Sequence, residues 1–116
     1  MNISINAYKY IKLFVSVIYI MATDKQYSPP SATCLQHACK LAVVDDKPIM
    51  LDYWTDSLEQ KVLIGVRDNE EKLLVKNEDE YTSPISKIYK VEENYIILTE
   101  NSLYIVSASI QTKRIS

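Results

Sequence analysis

The stretch Tyr95-Ile96-Ile97-Leu98-Thr99-Glu100-Asn101-Ser102-Leu103-Tyr104-Ile105-Val106 constrains this chain most. Two β-branched, aromatic-rich runs flank the polar pair Glu100-Asn101, the pattern of a β-hairpin. In the first run Ile96 and Leu98 alternate with Ile97 and Thr99, so both faces of the strand are apolar through its middle. Such a strand is covered on both sides. The candidate covers are a helix over Ser31–Val44 and the apolar residues 11–20.

The segment from Pro48 onward supplies strands for the same sheet. Short apolar runs broken by polar clusters predict strands at Pro48–Trp54, Gln60–Arg67, Glu71–Lys76, Pro84–Val91, Asn94–Thr99 and Ser102–Ile110. Arg67-Asp68-Asn69-Glu70, Glu92-Glu93-Asn94 and Glu100-Asn101 are the expected turns. The chain has a single glycine, Gly65, so left-handed turn positions are expected to fall to Asn and Asp. Asn77–Glu80 reads as an acidic loop.

Ser31–Val44 is the one helix the sequence predicts. Thr33-x-x-Gln36 fits a capping box, with Ser31 as the alternative N-cap. Leu35, Ala38, Cys39 and Ala42 share one face, widened by Leu41, while Gln36, His37 and Lys40 lie toward the other. Asp45-Asp46 and Pro48 end it, the acidic pair opposing the helix dipole.

These elements predict an α+β fold: one N-terminal helix on a small antiparallel sheet, or a partly closed barrel, of five to six strands. The domain spans 31–110, preceded by a linker at 23–30 and followed by a short basic tail at 111–116. Residues 1–22 form an apolar segment whose run over 11–22 falls short of a clean ~20-residue bilayer span. It reads as a signal or anchor, as an element docked on the domain, or as an extension upstream of a start at Met21. That last reading favours an intracellular location; the first implies a secreted or membrane-anchored domain.

With 116 residues, 47% hydrophobic and 24% charged, the chain can build one modest core. Low glycine with many Ile, Lys, Tyr and Asn is the usage of an AT-rich genome, such as that of a large DNA virus or an AT-rich parasite. Residues 45–116 carry nine basic against fourteen acidic side chains. That surplus argues against nucleic acid as a partner.

Few residue sets carry chemistry. Cys34, His37 and Cys39 form Cys-x2-His-x-Cys, but a structural zinc site needs four ligands, usually from two separated pairs. On a helix Cys39 points ~140° from Cys34, which also bars a disulfide between them. Burial as a small hydrophobe is the default for Cys39. Cys34 and His37 could act as nucleophile and base, yet both sit on one helix with no glycine-rich turn to form an oxyanion hole. Asp52, between Leu51 and Tyr53, could be a buried acid or base, or simply face solvent. Glu78-Asp79-Glu80 lacks the ligand spacing of a calcium loop. No phosphate-cradling or dinucleotide motif occurs, and no cofactor is expected.

Lys47-Pro48-Ile49-Met50-Leu51-Asp52-Tyr53-Trp54 resembles the strand before the active site of thioredoxins over these eight residues. Thr55-Asp56-Ser57-Leu58 stands where that family carries Cys-x-x-Cys, so a generic buried strand is the reading kept.

Tyr53, Trp54, Tyr81 and Tyr89 are the candidate binding residues, since Tyr and Trp suit protein interfaces. The expected function is therefore non-catalytic: a protein-interaction or structural and assembly domain, such as a viral structural or accessory protein. It acts through a protein partner or self-association. The alternatives are a small enzyme using the Cys/His pair or Asp52, and the secreted or anchored domain.

Overall fold

A computed structural model describes residues 28–115. The fold is α+β, with one long helix and two small sheets stacked in three layers. Helix α1 (Ala32–Asp45) starts where Ser31, extended at φ −63 and ψ 151, accepts the Cys34 N–H on its Oγ at 3.1 Å. Ser31 rather than Thr33 is thus the cap. It satisfies one of the amide donors that the first turn leaves free. Asp46 closes the helix in the left-handed conformation, its N–H donating to the Ala42 carbonyl.

Strand β1 (Ile49–Met50) is followed by a short helix α2 (Trp54–Leu58), then β2 (Leu63–Val66) and β3 (Lys72–Val75). Next come β4 (Ile85–Val91), β5 (Asn94–Thr99), β6 (Leu103–Ser107) and β7 (Gln111–Arg114). The first sheet has the order β1-β6-β5-β4 and the second β3-β2-β7. Each mixes antiparallel hairpins with one parallel pair, β1 with β6 and β2 with β7. Neither arrangement closes into a barrel.

Strand β5 is the centre, covered on both faces. Ile96 and Leu98 join Leu103, Ile105, Trp54 and the helix residues Cys34 and Ala38 in one buried cluster. Ile97 and Val106 join Ile64, Leu74, Val62, Ile110 and Tyr53 in the other. The helix is one cover, as its pattern predicted. The second cover is the β2–β3 sheet; residues 11–20, the other candidate, lie outside the described residues.

The buried line of α1 is Cys34, Ala38 and Ala42, with Leu35, Cys39 and Leu41 flanking it. The face is therefore rotated from the expected stripe of Leu35, Ala38, Cys39 and Ala42, which left Cys34 aside. Small side chains at positions i, i+4 and i+8 let the helix backbone sit close on β5 and β6.

Pro48–Trp54 was expected as one strand, and only Ile49 and Met50 pair, beside Leu103 and Tyr104. The chain then turns so that Tyr53 and Trp54 enter opposite clusters. Trp54 Nε1–H donates to the Ser28 carbonyl at 2.8 Å, and the buried Ser57 hydroxyl accepts the Ser107 N–H at 2.9 Å. A continued strand would leave that indole donor and the β6 end unsatisfied.

Residues 111–116, expected as a tail, contribute β7, which pairs with β2 from Leu63↔Gln111 to Val66↔Arg114. All four β7 residues are exposed. Backbone pairing holds this strand, aided by Arg114 at 3.9 Å from Asp68 and 3.4 Å from Glu70.

The left-handed positions fall to Asp46, Gln60, Glu70 and Glu92, so Asn takes none of them among the described residues. Asn69 and Asn77 instead accept backbone N–H groups on their side-chain oxygens and shape the turns that way. Gly65 lies in mid-strand. A Cβ there would meet Ile115 Cδ1 at 2.7 Å and Val75 Cγ2 at 3.1 Å, so close packing explains this glycine.

Candidate functional site

The residues singled out for chemistry do not converge. Cys34 is fully buried in the helix–sheet core, Cys39 is half-buried, and His37 is exposed on the flank of α1 that faces β4. Loss of hydration raises the Cys34 thiol from 9.0 to about 11; a hydrogen bond with Asn94 opposes this and the Glu92 charge adds to it. Burial also raises the Cys39 thiol. Neither sulfur is activated as a nucleophile, because the thiolate is the reactive species. Among the described residues no group of three His, Cys, Asp or Glu side chains could hold a metal ion. Asp52 is exposed in the turn before α2, so the buried acid or base considered for it does not exist in this fold.

Two of the four expected binding aromatics belong to the core. Tyr53 is 7% and Trp54 3% exposed, so neither offers a surface to a partner. Tyr53 meets Tyr104 edge to face at 5.4 Å, and Lys76 Nζ lies 4.5 Å from its ring centroid. Burial first, then the neighbouring Tyr104, Asp52 and Glu80, pushes its hydroxyl up to about 12. Lys76 also reaches Asp56 at 3.5 Å and Glu80 at 3.8 Å, tying the acidic loop and α2 over this ring.

Tyr81 and Tyr89 are exposed, at 52% and 38%, on separate parts of the surface. Tyr81 stands beside the outer face of the β2–β3 sheet with the Arg67 guanidinium 5.9 Å from its ring centroid. Leu63, Val75 and Ile115 share that recess. Tyr89 lies on β4, the edge strand of the larger sheet, opposite Ile96.

Strand β4 is the site with the clearest physical character. It is seven residues long, the longest strand described, and Ser86 to Lys90 are all exposed. Its inner edge pairs with β5 and its outer edge has no partner among the described residues. An unpaired edge presents N–H and C=O groups to any strand that can lie alongside. Residues directly opposite across an antiparallel ladder share a face. Tyr89 therefore faces the helix side with Ile96, and Ile88, opposite Ile97 and 36% exposed, faces the other.

Among the described residues, helix α1 packs over β5 and β6 and reaches β4 only at Val91, leaving Lys87 and Tyr89 on the helix side of that strand exposed. The result is a groove of about 540 Å³ between helix and edge strand. Ile96 is its floor, Leu41 and Val91 its half-buried walls, and Tyr89 its outer wall. Lys40, Lys90 and Glu92 form a charged rim, with His37 beside them. Outside the groove, Asn94 ties the start of β5 to the N-cap of α1. With its amide oriented to satisfy both groups, its oxygen accepts the Ser31 N–H at 3.0 Å and its nitrogen donates to the Glu93 carbonyl at 3.1 Å.

Sequence reasoning reached Tyr89 but missed Leu41, Ile88 and Val91. The available signal was the β4 run itself, in which Ile88, Tyr89 and Val91 interleave with Lys87 and Lys90. No helix among the described residues is long and apolar enough to cross a bilayer. No protein-family model, curated protein or solved structure matches the chain.

Proposed function

We propose that this domain is a non-catalytic protein-interaction or assembly module that works through the outer edge of β4. The observation that carries the reading is that edge: seven residues without an outer partner among the described residues, with Ile88 and Tyr89 exposed on its two faces. Strand addition supplies affinity through main-chain hydrogen bonds and specificity through side-chain pockets beside the edge. Here the groove against α1 is such a pocket. The separation of the buried Cys34 thiol from the exposed His37 and Asp52 side chains supports this reading over one built on those residues.

A photoreactive residue placed at Tyr89 in the full chain, expressed in its source, tests the reading. Adducts to protein are expected from position 89 and not from Asp79 in the acidic loop. Equal adduct yields from both positions, or none from position 89, would refute a β4 interface.

A further inference from the structure

We infer that the partner of β4 is a second copy of this chain, joined edge to edge by antiparallel β4 strands about a two-fold axis centred on Ile88. This inference rests on the β4 interface proposed above. A two-fold axis normal to the sheet keeps each face on its own side, so directly opposite residues must share a face. That condition leaves few registers, and the charges of β4 select among them. Centred on Lys87 or Lys90, the pairing sets two lysines face to face, which is destabilising. Centred on Tyr89, it sets Ile88 against Lys90 and Lys87 against Val91. Centred on Ile88, it sets Ile88 against Ile88 and each Lys87 against the other copy's Tyr89, a cation over an aromatic face. Lys90 then falls beside the irregular Ser86 position, and no like charges meet directly.

Lysines on an edge strand ordinarily guard against pairing. On this strand they disfavour the Lys87- and Lys90-centred registers, and between the remaining central two the Ile88-centred one pairs apolar with apolar and Lys87 with Tyr89, whereas the Tyr89-centred one sets Ile88 against Lys90. The irregularity between Ile85 and Lys87 bends β4 at Ser86, outside the central Lys87–Tyr89 pairing. The join would merge two four-stranded sheets into one continuous sheet, with the grooves beside α1 flanking the axis on the helix side.

Ile88→Cys in the full chain provides the test. Opposite residues in an antiparallel ladder have Cβ atoms ~4.5–5.5 Å apart, within reach of a disulfide after small adjustment. Under mild oxidation a covalent dimer linked 88 to 88 is expected, identified by peptide mass. It should form at least ~10-fold faster than dimers of Lys87→Cys or Lys90→Cys, whose own counterparts are not opposite. Sedimentation of the unaltered chain should show a monomer–dimer equilibrium that Lys90→Pro, which removes a backbone donor and stiffens the edge, shifts toward monomer. Equal rates at the three positions would mean random collision and overturn the inference. A chain that stays monomeric at every concentration would overturn it too. If position 89 nevertheless gives adducts to a different protein, the β4 interface stands and only the second copy is lost.

Discussion

Ile97→Ala measures how far the two cores act as one. Ile97 is 0% exposed and packs with Val106, Ile64 and Leu74 between the sheets, on the face of β5 away from the helix. Truncating a buried isoleucine to alanine costs about 2–5 kcal/mol through lost burial and the cavity left behind. Small domains have only about 5–15 kcal/mol in total, so the loss is a large fraction. With a urea dependence of about 1–3 kcal/mol per molar, the unfolding midpoint should fall by roughly 2 M. The only tryptophan, Trp54, belongs to the cluster on the opposite face. Its fluorescence therefore reports a region that Ile97 does not line. If β5 couples both cores, the fluorescence and far-ultraviolet circular-dichroism midpoints must move together. A fluorescence midpoint unmoved while circular dichroism shifts, or a total shift below about 0.5 M, would refute β5 as the shared support.

Three further outcomes follow from the same structure. Glu92, at φ 54 in the β4–β5 turn, holds a conformation costing a non-glycine residue about 1–2 kcal/mol; Glu92→Gly should stabilise by about 0.5–1 kcal/mol after the added unfolded-state entropy, read from the urea midpoint. Gly65→Ala should destabilise by about 1 kcal/mol, and the penalty should shrink in an Ile115→Ala background, where the 2.7 Å clash with Ile115 Cδ1 is gone; thermal melts of the four proteins check this. Because Cys34 deprotonates near 9 when unfolded and at about 11 when folded, its stabilising effect is complete below pH 9 and lost as pH rises to 11. That two-unit difference corresponds to about 2–3 kcal/mol, and Cys34→Ala should flatten this part of the stability–pH curve.

Much of the fold was legible in the sequence because its signals are local. Asn94–Thr99 and Pro84–Val91 carry β-branched runs bounded by polar pairs, and the observed strands match them within a residue. The Ser31 cap and the small-residue face announce α1. What local patterning could not reach was partner choice. Gln111–Arg114 is all polar, so β7 exists only because Leu63–Val66 offers it an edge. Trp54 leaves the β1 run, and a distant carbonyl, that of Ser28, accepts the hydrogen bond from its indole N–H. Two sheets rather than one followed from the same cause: Ile64 and Leu74 cover Ile97 and Val106 instead of extending beside them. At the site, Tyr89 was found as an aromatic, whereas the groove around it depends on where α1 stops covering the sheet. Tyr53 and Trp54 have the same composition signal as Tyr89, and only packing separates core from surface.

The most direct measurement of the proposed β4 interface is backbone hydrogen exchange of the full chain across a range of protein concentrations. Protection over Lys87–Val91 should rise with concentration while the Arg67–Glu71 turn and β7 stay unchanged. Exchange at β4 that is indifferent to concentration, with protection growing elsewhere, would contradict pairing through this edge.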